Sequence, residues 1–343
     1  MRKKITLIGS GNVGQIAALR MAEMDLADIV LIGGVHMGMA AGKALDLCEA
    51  SPIERHDRHI IGATGEFSAM QDSDIVVISA GVPRKPGMSR EDLLETNTEI
   101  VRTMVEKVVD YAPDSILIIV TNPLDAMCQV AYEVSGFPRN RVIGMAGVLD
   151  SSRFATFIGM ELDVSVENIN TFVLGGHGDA MVPLPRYTCV AGIPLTDLLS
   201  SDRISSLVDR TRNGGAEIVN LLKVGSAYFA PACAVKEMVE TILKDKKKIL
   251  PCSAYLQGEY GIQGLFMGVP VKLGENGIEE IIQIKLTTSE SDALFKSAAS
   301  VRMTVDEIWK MYTDKKIEAK LTAKVPRKTP ARIKPDRQRA FSI

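Results

Sequence analysis

The feature that most restricts this chain is Gly9-Ser10-Gly11-Asn12-Val13-Gly14. It lies between an apolar run, Ile5-Thr6-Leu7-Ile8, and a helical pattern at Val13, Ile16, Ala17 and Met21. A strand that ends in G-x-G-x-x-G and feeds a helix has the order of a dinucleotide-binding turn. Each glycine has its own task. Gly9 permits the tight turn, Gly11 keeps side-chain atoms away from a pyrophosphate, and Gly14 lets the helix pack close to the strand. The helix N-terminus adds free N–H groups and a partial positive charge for the phosphates. Taken alone, the motif also fits a plain glycine-rich turn between a buried strand and a helix. The rest of the chain has to decide.

Residues 29–32, 75–79, 116–120 and 142–144 are short apolar runs that read as buried strands, and Ile60-Ile61 reads as a minor one. Helical patterns at 38–49 and 90–111 alternate with them. Continuous apolar strands between helices predict an α/β fold of the Rossmann type, a doubly wound parallel sheet covered on both faces. Ligands of such sheets bind beyond the carboxyl ends of the strands. That rule brings Gly9–Gly14, the loop from Gly81 to Arg90 and Val120-Thr121-Asn122 to one crevice. The second half reads differently. Helices are predicted at 150–162, 204–223, 229–243 and 289–312, and strands at 169–174, 249–256, 266–273 and 277–284.

A length of 343 residues suits two units. These are a dinucleotide-binding domain over 1–146 and a second, α+β substrate domain over 147–313. A basic extension over 314–343 follows. From Leu321 to Ile343 there are seven Lys/Arg against one acid, interleaved with Pro326, Pro330 and Pro335. Such a composition predicts disorder. The whole chain has a formal net charge of −2 and no apolar stretch long enough to span a bilayer, so neither nucleic acid nor membrane is expected as a partner. The five cysteines are scattered with no C-x-x-C pair, which predicts reduced thiols in a cytoplasmic protein and no metal site.

Of the four histidines, His56 and His59 lie in a charged segment expected at the surface, and His36 follows the second strand. His177 stands apart, framed by glycine in Gly175-Gly176-His177-Gly178-Asp179 at a strand end. Glycines there let the backbone bring one side chain to a reacting centre, and imidazole exchanges protons near neutral pH. A polar loop histidine is the ordinary alternative. An imidazole working as acid and base needs a carboxylate to hold the ring and stabilise its charge. Asp150, in Val148-Leu149-Asp150-Ser151-Ser152-Arg153, is the candidate, with Arg153 on the same helix face. A helix N-cap aspartate beside a surface arginine would look the same. Arg84 and Arg90 lie in a Gly- and Pro-rich loop of the kind that closes over ligands, and guanidinium groups match carboxylates as bidentate forks. The bland reading is a solvated basic loop.

These five segments stand in the order and at the spacing of the malate/lactate dehydrogenase family, which residues 3–313 resemble. Within it the sequence is most similar to the malate dehydrogenases of lactate dehydrogenase-like type. The resemblance implies that His177 donates and accepts the proton, paired with Asp150. It implies that Arg153 holds the C1 carboxylate of the substrate, that Arg90 polarises the reacting carbonyl, and that Asn122 hydrogen-bonds the substrate. Gly9, Ser10, Gly11, Asn12, Val13, Gly14 and Gly34 would contact the dinucleotide, while Asn97, Val120 and Asn122 would line the nicotinamide site. Arg84 occupies the discriminating position, where lactate dehydrogenases carry an uncharged residue, commonly Gln. A dicarboxylate would leave its second carboxylate desolvated and unpaired without that cation. The resemblance further implies a small dicarboxylate substrate and a homodimer or homotetramer. Two alternatives stand beside it: a lactate or other 2-hydroxy-acid dehydrogenase, and an inactive nucleotide-binding relative.

One position departs from the pattern. NAD sites place an acid about 20 residues past the glycine loop to bind the adenosine ribose hydroxyls. Here that position is Gly34, and no acid occurs from Ile29 to Leu45. Charged hydrogen bonds of roughly 1.5–3 kcal/mol each are thereby lost to NAD. Repulsion of a 2′-phosphate is lost with them. The neighbours Val35, His36 and Met37 offer only a histidine in exchange. The expected cofactor is NAD, with NADP possible.

Overall fold

The apolar run before the glycine loop forms β1 (Lys4–Ile8), and the pattern after it forms α1 (Asn12–Glu23). A computed structural model describes residues 2–34, 38–83 and 89–323. The first half continues with β2 (Asp28–Gly33), α2 (Met39–Glu54), β3 (Ile60–Thr64), β4 (Ile75–Ile78), α3 (Arg90–Tyr111), β5 (Ile116–Ile119), α4 (Leu124–Ser135) and β6 (Val142–Gly144). These six strands are parallel, in the order β3-β2-β1-β4-β5-β6. The order reverses between β1 and β4, the switch point at which doubly wound sheets bind dinucleotides. Ile5, Leu7, Ile29, Leu31, Ile75 and Ile78 are fully buried, as a sheet covered on both faces requires.

The second half contains α5 (Gly147–Leu162), β7 (Ile169–Asn170), β8 (Val173–Gly175), β9 (Met181–Pro183), β10 (Cys189–Val190), β11 (Ile193–Pro194), α6 (Leu195–Leu198), α7 (Ser201–Leu222), α8 (Phe229–Leu243), β12 (Lys248–Gln257), β13 (Gln263–Gly274), β14 (Gly277–Ile281) and α9 (Thr288–Ala323). Of its strands, β12, β13, β8 and β9 extend the same sheet with antiparallel pairing. The junction is Ser253 opposite Gly144. A side chain at Gly144 would press on Cys128 Sγ and Ser253 Cβ, both 2.6 Å from the added carbon, so the backbones meet closely only because it is glycine.

Several expectations need correction. The single strand over 169–174 is two strands. β7 joins a small sheet with β10 and β11, whereas β8 joins the main one. The segment crosses between two cores: Ile169 and Val173 pack with Phe154, Ile158 and Leu195, but Leu174 belongs to the main core. Helix α5 starts at Gly147 rather than Asp150, so Asp150 is not an N-cap; it lies in the first turn and is buried. Helix α9 runs on to Ala323, so residues 314–323 are helical where the sequence predicts part of a disordered basic extension. Residues 324–343 lie outside the described residues. His56 is buried rather than at the surface, with its Nδ1 unpartnered among the described residues, and His59 is exposed.

Candidate active site

Three strand ends form the first wall. Gly9 adopts φ +115° directly after β1, a conformation open to glycine, and its N–H donates to the Ile32 carbonyl at 2.9 Å. An added carbon at Gly14 would sit 1.9 Å from the Gly9 carbonyl oxygen, so α1 packs on the turn through this glycine. At Gly11 an added carbon would meet nothing within 4 Å, leaving the turn open on that side. Helix α1 has no side-chain cap and no acid in its first turn. An uncapped N-terminus beside an open glycine turn suits an anionic pyrophosphate. A cation stands by as well: Lys43, from α2, donates to the Ser10 carbonyl at 2.6 Å. Gly34 is exposed, and an added carbon there would also meet nothing within 4 Å.

The ends of β4 and β5 are laced together beside this turn. Thr121 Oγ1 donates to the Ala80 carbonyl at 2.7 Å. Asn97, buried on α3, accepts from the Val82 N–H at 2.8 Å and donates to the Asn122 carbonyl at 2.8 Å. Its side chain therefore braces the two loops from behind. Val120 is buried at the end of β5, and Asn122 is exposed. Ser89 caps α3 in a reciprocal box with Asp92, which makes Arg90 the first helical residue. Arg84 lies outside the described residues, as does the side chain of Arg90.

The second wall is the loop after β8. Gly175 and Gly178 have φ values of +86° and +107°, so the chain turns sharply on either side of His177. A carbon added at Gly176 would lie 2.6 Å from Val301 Cγ2 of α9. The loop is thus clamped with His177 facing Asp150. His177 Nδ1 lies 2.9 Å from Asp150 Oδ2, and Arg153 Nη1 donates to Asp150 Oδ1 at 3.1 Å. The start of α5 fixes this spacing. Gly147 abuts the Val173 carbonyl, where an added carbon would come within 2.6 Å, and Ser151 Oγ accepts from the Val173 N–H at 3.0 Å.

The Asp150 side chain is 2% exposed, and those of His177 and Arg153 are 12% and 13% exposed. Burial opposes charge on His177. The charge of Asp150 and its hydrogen bond, helped by Asp125, outweigh that and hold the imidazole above the ordinary histidine value. With Nδ1 engaged by a carboxylate, Nδ1 carries a hydrogen and Nε2 is the atom that exchanges a proton. Arg153 Nε is buried and unpartnered among the described residues. A buried guanidinium with one side satisfied and Nε vacant fits an incoming carboxylate. Two mid-helix glycines of α7 lie alongside it: carbons added at Gly214 and Gly215 would come into ordinary contact, 3.4 Å from Arg153 Cδ and 3.9 Å from Arg153 Nη2.

Two groups escaped the sequence reading. Asp125 looks like any acid in a helix first turn, yet it is buried against the loop that carries His177. The pair Gly214-Gly215 did carry a signal, since adjacent glycines inside a long helix cost stability and call for a reason. Among the described residues, no group of three or more His, Cys, Asp or Glu is arranged to hold a metal, and no helix is long and apolar enough to cross a membrane.

Both halves of the chain are similar to known proteins. Residues 3–144 match the NAD-binding domain of lactate/malate dehydrogenase, and residues 147–311 match the α/β C-terminal domain of the same family. The malate dehydrogenase of Chloroherpeton thalassium is 54% identical over 305 residues, covering 89% of this chain and 98% of that protein. The apo structure of malate dehydrogenase from Picrophilus torridus superposes with a TM-score of 0.88 at 44% identity, covering 92% of this chain and all (100%) of that one. The lactate dehydrogenase of Cryptosporidium parvum, solved with lactic acid and β-nicotinamide adenine dinucleotide, superposes with a TM-score of 0.86 at 40% identity over 89% of this chain and 98% of that one.

Proposed function

The chain belongs to the lactate/malate dehydrogenase family, and on that premise we propose that it transfers hydride reversibly between (S)-malate or oxaloacetate and a nicotinamide cofactor. The observation that carries this reading is the buried row His177–Asp150–Arg153, with Nδ1 of the histidine held by the carboxylate and Nε of the arginine without a protein partner among the described residues. A bound nicotinamide supplies the hydride to C2 of oxaloacetate and takes it back from malate. His177, protonated, gives a proton from Nε2 to the carbonyl oxygen, and Asp150 stabilises the imidazolium before the transfer. Arg153 holds the C1 carboxylate, Asn122 hydrogen-bonds the substrate and Arg90 steadies the negative charge that develops on oxygen. Malate oxidation runs the same steps backward, with neutral His177 as base.

Arg84 selects the substrate by pairing with the second carboxylate of oxaloacetate. Sites built around such a polar group reject analogues lacking it by on the order of 10⁴-fold. The cofactor is NAD, with NADP admitted because Gly34 supplies no carboxylate to repel a 2′-phosphate. Residues 1–146 form the dinucleotide half and 147–313 the substrate half. The molecule works as a homo-oligomer: Leu45, Ile53 and Ile61 of α2 and β3, and Leu221, Val224 and Phe229 around the α7–α8 junction, are exposed apolar residues that an interface would cover. The five unpaired cysteines suit a reducing cytoplasm.

An absorbance assay of NADH and NADPH oxidation, run with oxaloacetate and with pyruvate, tests the whole reading. Oxaloacetate should exceed pyruvate in kcat/KM, and Arg84→Gln should narrow that ratio. A wild-type preference for pyruvate would establish the lactate alternative. Folded protein that turns over neither compound would establish the inactive one. The NADH to NADPH ratio reports on Gly34 directly.

A further inference from the structure

Behind His177 stands a second carboxylate for which the proposed mechanism has no use. Asp125 lies in the first turn of α4, three residues after Asn122, and is 4% exposed. Its Oδ2 accepts from the His177 main-chain N–H at 2.8 Å, and its Oδ1 accepts from Ser253 Oγ at 2.6 Å. Ser253 is the residue of β12 that meets Gly144 of β6 where the parallel and antiparallel parts of the sheet join. One buried carboxylate therefore ties together the helix that follows Asn122-Pro123, the sheet junction, and the main chain of the proton-exchanging residue. Next to it, the Gly176 N–H donates to Ser297 Oγ of α9 at 2.8 Å, so the loop is held at two consecutive peptides. Asp125 also lines a cavity of about 360 Å³ together with His177, Asp179, Ala180 and Thr304.

A buried carboxylate without an arginine or lysine against it is costly, and a hydrophobic residue there would be easier to keep. Two hydrogen bonds recover part of that cost. A protonated His177 offsets a further part, because its charge acts against the effect of burial on Asp125.

We propose that Asp125 is a positioning residue for His177: it fixes the main chain from behind while Asp150 fixes the ring, and its negative charge favours the protonated imidazole that carbonyl reduction requires. The inference rests on the reading of His177 as proton donor. The direction of the imidazole's displacement agrees, since the Asp125 charge acts with that of Asp150 to raise it. Burial in turn raises the proton affinity of Asp125 itself, against its bonds to Ser253 and His177. The two groups therefore respond to each other's charge.

Two substitutions separate the parts of the role. Asp125→Asn keeps an acceptor for the His177 N–H and removes the charge. Asp125→Ala removes both. The chain has four histidines, so the His177 ring signal in an NMR titration is identified by its loss in His177→Asn. Asp125→Asn should move the His177 titration to lower pH, and the pH at which oxaloacetate reduction declines should move with it. Asp125→Ala should lower kcat by at least ~10-fold with the KM for oxaloacetate within about twofold of wild type, as loss of alignment predicts. A residue that served only the fold would lower thermal stability and leave the ring titration in place. Superimposable titrations of wild type and Asp125→Asn, or wild-type kcat in folded Asp125→Ala, would overturn the proposal. Should Asp125→Ala fail to fold, Ser253→Ala decides: a kcat lower by roughly 2–10-fold at unchanged KM supports it, and wild-type kinetics overturns it. If the wild-type protein does not reduce oxaloacetate, the proposed reaction fails, and the ring titration still decides whether Asp125 acts on His177.

Discussion

At the end of β1, the turn from Gly9 to Gly14 offers a ligand mainly main-chain N–H groups, and the residues that shape it are neighbours in sequence. At the end of β8, His177 depends on Asp150, Asp125, Ser253 and Ser297, drawn from four other elements; the Asp125–Ser253 bond alone spans 128 positions. The first site is made by leaving atoms out. An added carbon at Gly14 would fall 1.9 Å from an oxygen, and none would obstruct Gly11. The second is made by placing charges at fixed distances, 2.9 Å and 3.1 Å around one buried aspartate. Accordingly the turn is broken by adding bulk, and the His177 corner by removing a charge. Both rest on the same sheet, one on its parallel strands and the other on its antiparallel extension.

The largest effect should come from the corner. His177→Ala should cut kcat by at least ~10²-fold, because general acid–base catalysis contributes on that scale. Stopped-flow or steady-state turnover with oxaloacetate measures it, and near-normal turnover would remove the histidine from the mechanism.

Asp150→Asn comes next and is read as a function of pH. In the wild type the protonated imidazole persists above the ordinary histidine value of about 6.5, because Asp150 outweighs burial. Reduction of oxaloacetate should therefore fall only as pH rises through that higher value. Without the carboxylate, burial prevails and the decline should move to lower pH, with kcat down by more than ~10-fold. The linkage has a definite sign. A raised folded-state value contributes stability that is complete below the unfolded value and lost as pH rises through the folded one. The thermal deficit of Asp150→Asn should thus shrink with rising pH. A pH–rate profile superimposable on that of the wild type would refute the pairing.

The turn supplies the two smaller tests. Gly14→Ala should cost about 1–3 kcal/mol through overpacking, shared between a lower Tm and weaker dinucleotide binding. Calorimetry and a cofactor titration divide the two. Unchanged values in both would mean that α1 can shift away from the turn. Gly34→Asp should raise the preference for NADH over NADPH by about 10-fold or more, the equivalent of one charged hydrogen bond. An unchanged ratio would place cofactor choice elsewhere, with Lys43 the next position to vary.

The difference between the two sites also explains what could be read in advance. The glycine turn, the alternation of buried strands with helices, and the glycine frame of His177 are local patterns, and each became the expected element. The segment from Ile169 to Leu174 misled because a run of apolar residues carries no sign of which core it enters; here it enters two. His56 misled because a charged neighbourhood in sequence says little about burial in space. Asp150 was legible as a partner for His177, but its burial and its place inside the first turn of α5 were not. Asp125 was not legible at all. An acid near a helix N-terminus is favoured by the helix dipole whatever surrounds it, so its sequence context is the same for a solvated residue and a buried one.

The sequence by itself determined the strand–turn–helix order, the Rossmann-type alternation, the family motifs and the missing acid at Gly34, because these depend on residue type and short spacing. Only the tertiary structure decided that the antiparallel strands continue the parallel sheet through Ser253 and Gly144, and that two carboxylates converge on one histidine. The physical reason is range. Backbone conformation and hydrophobic period act over a few residues, whereas the charge state of a buried imidazole depends on every group the fold brings within a few ångströms.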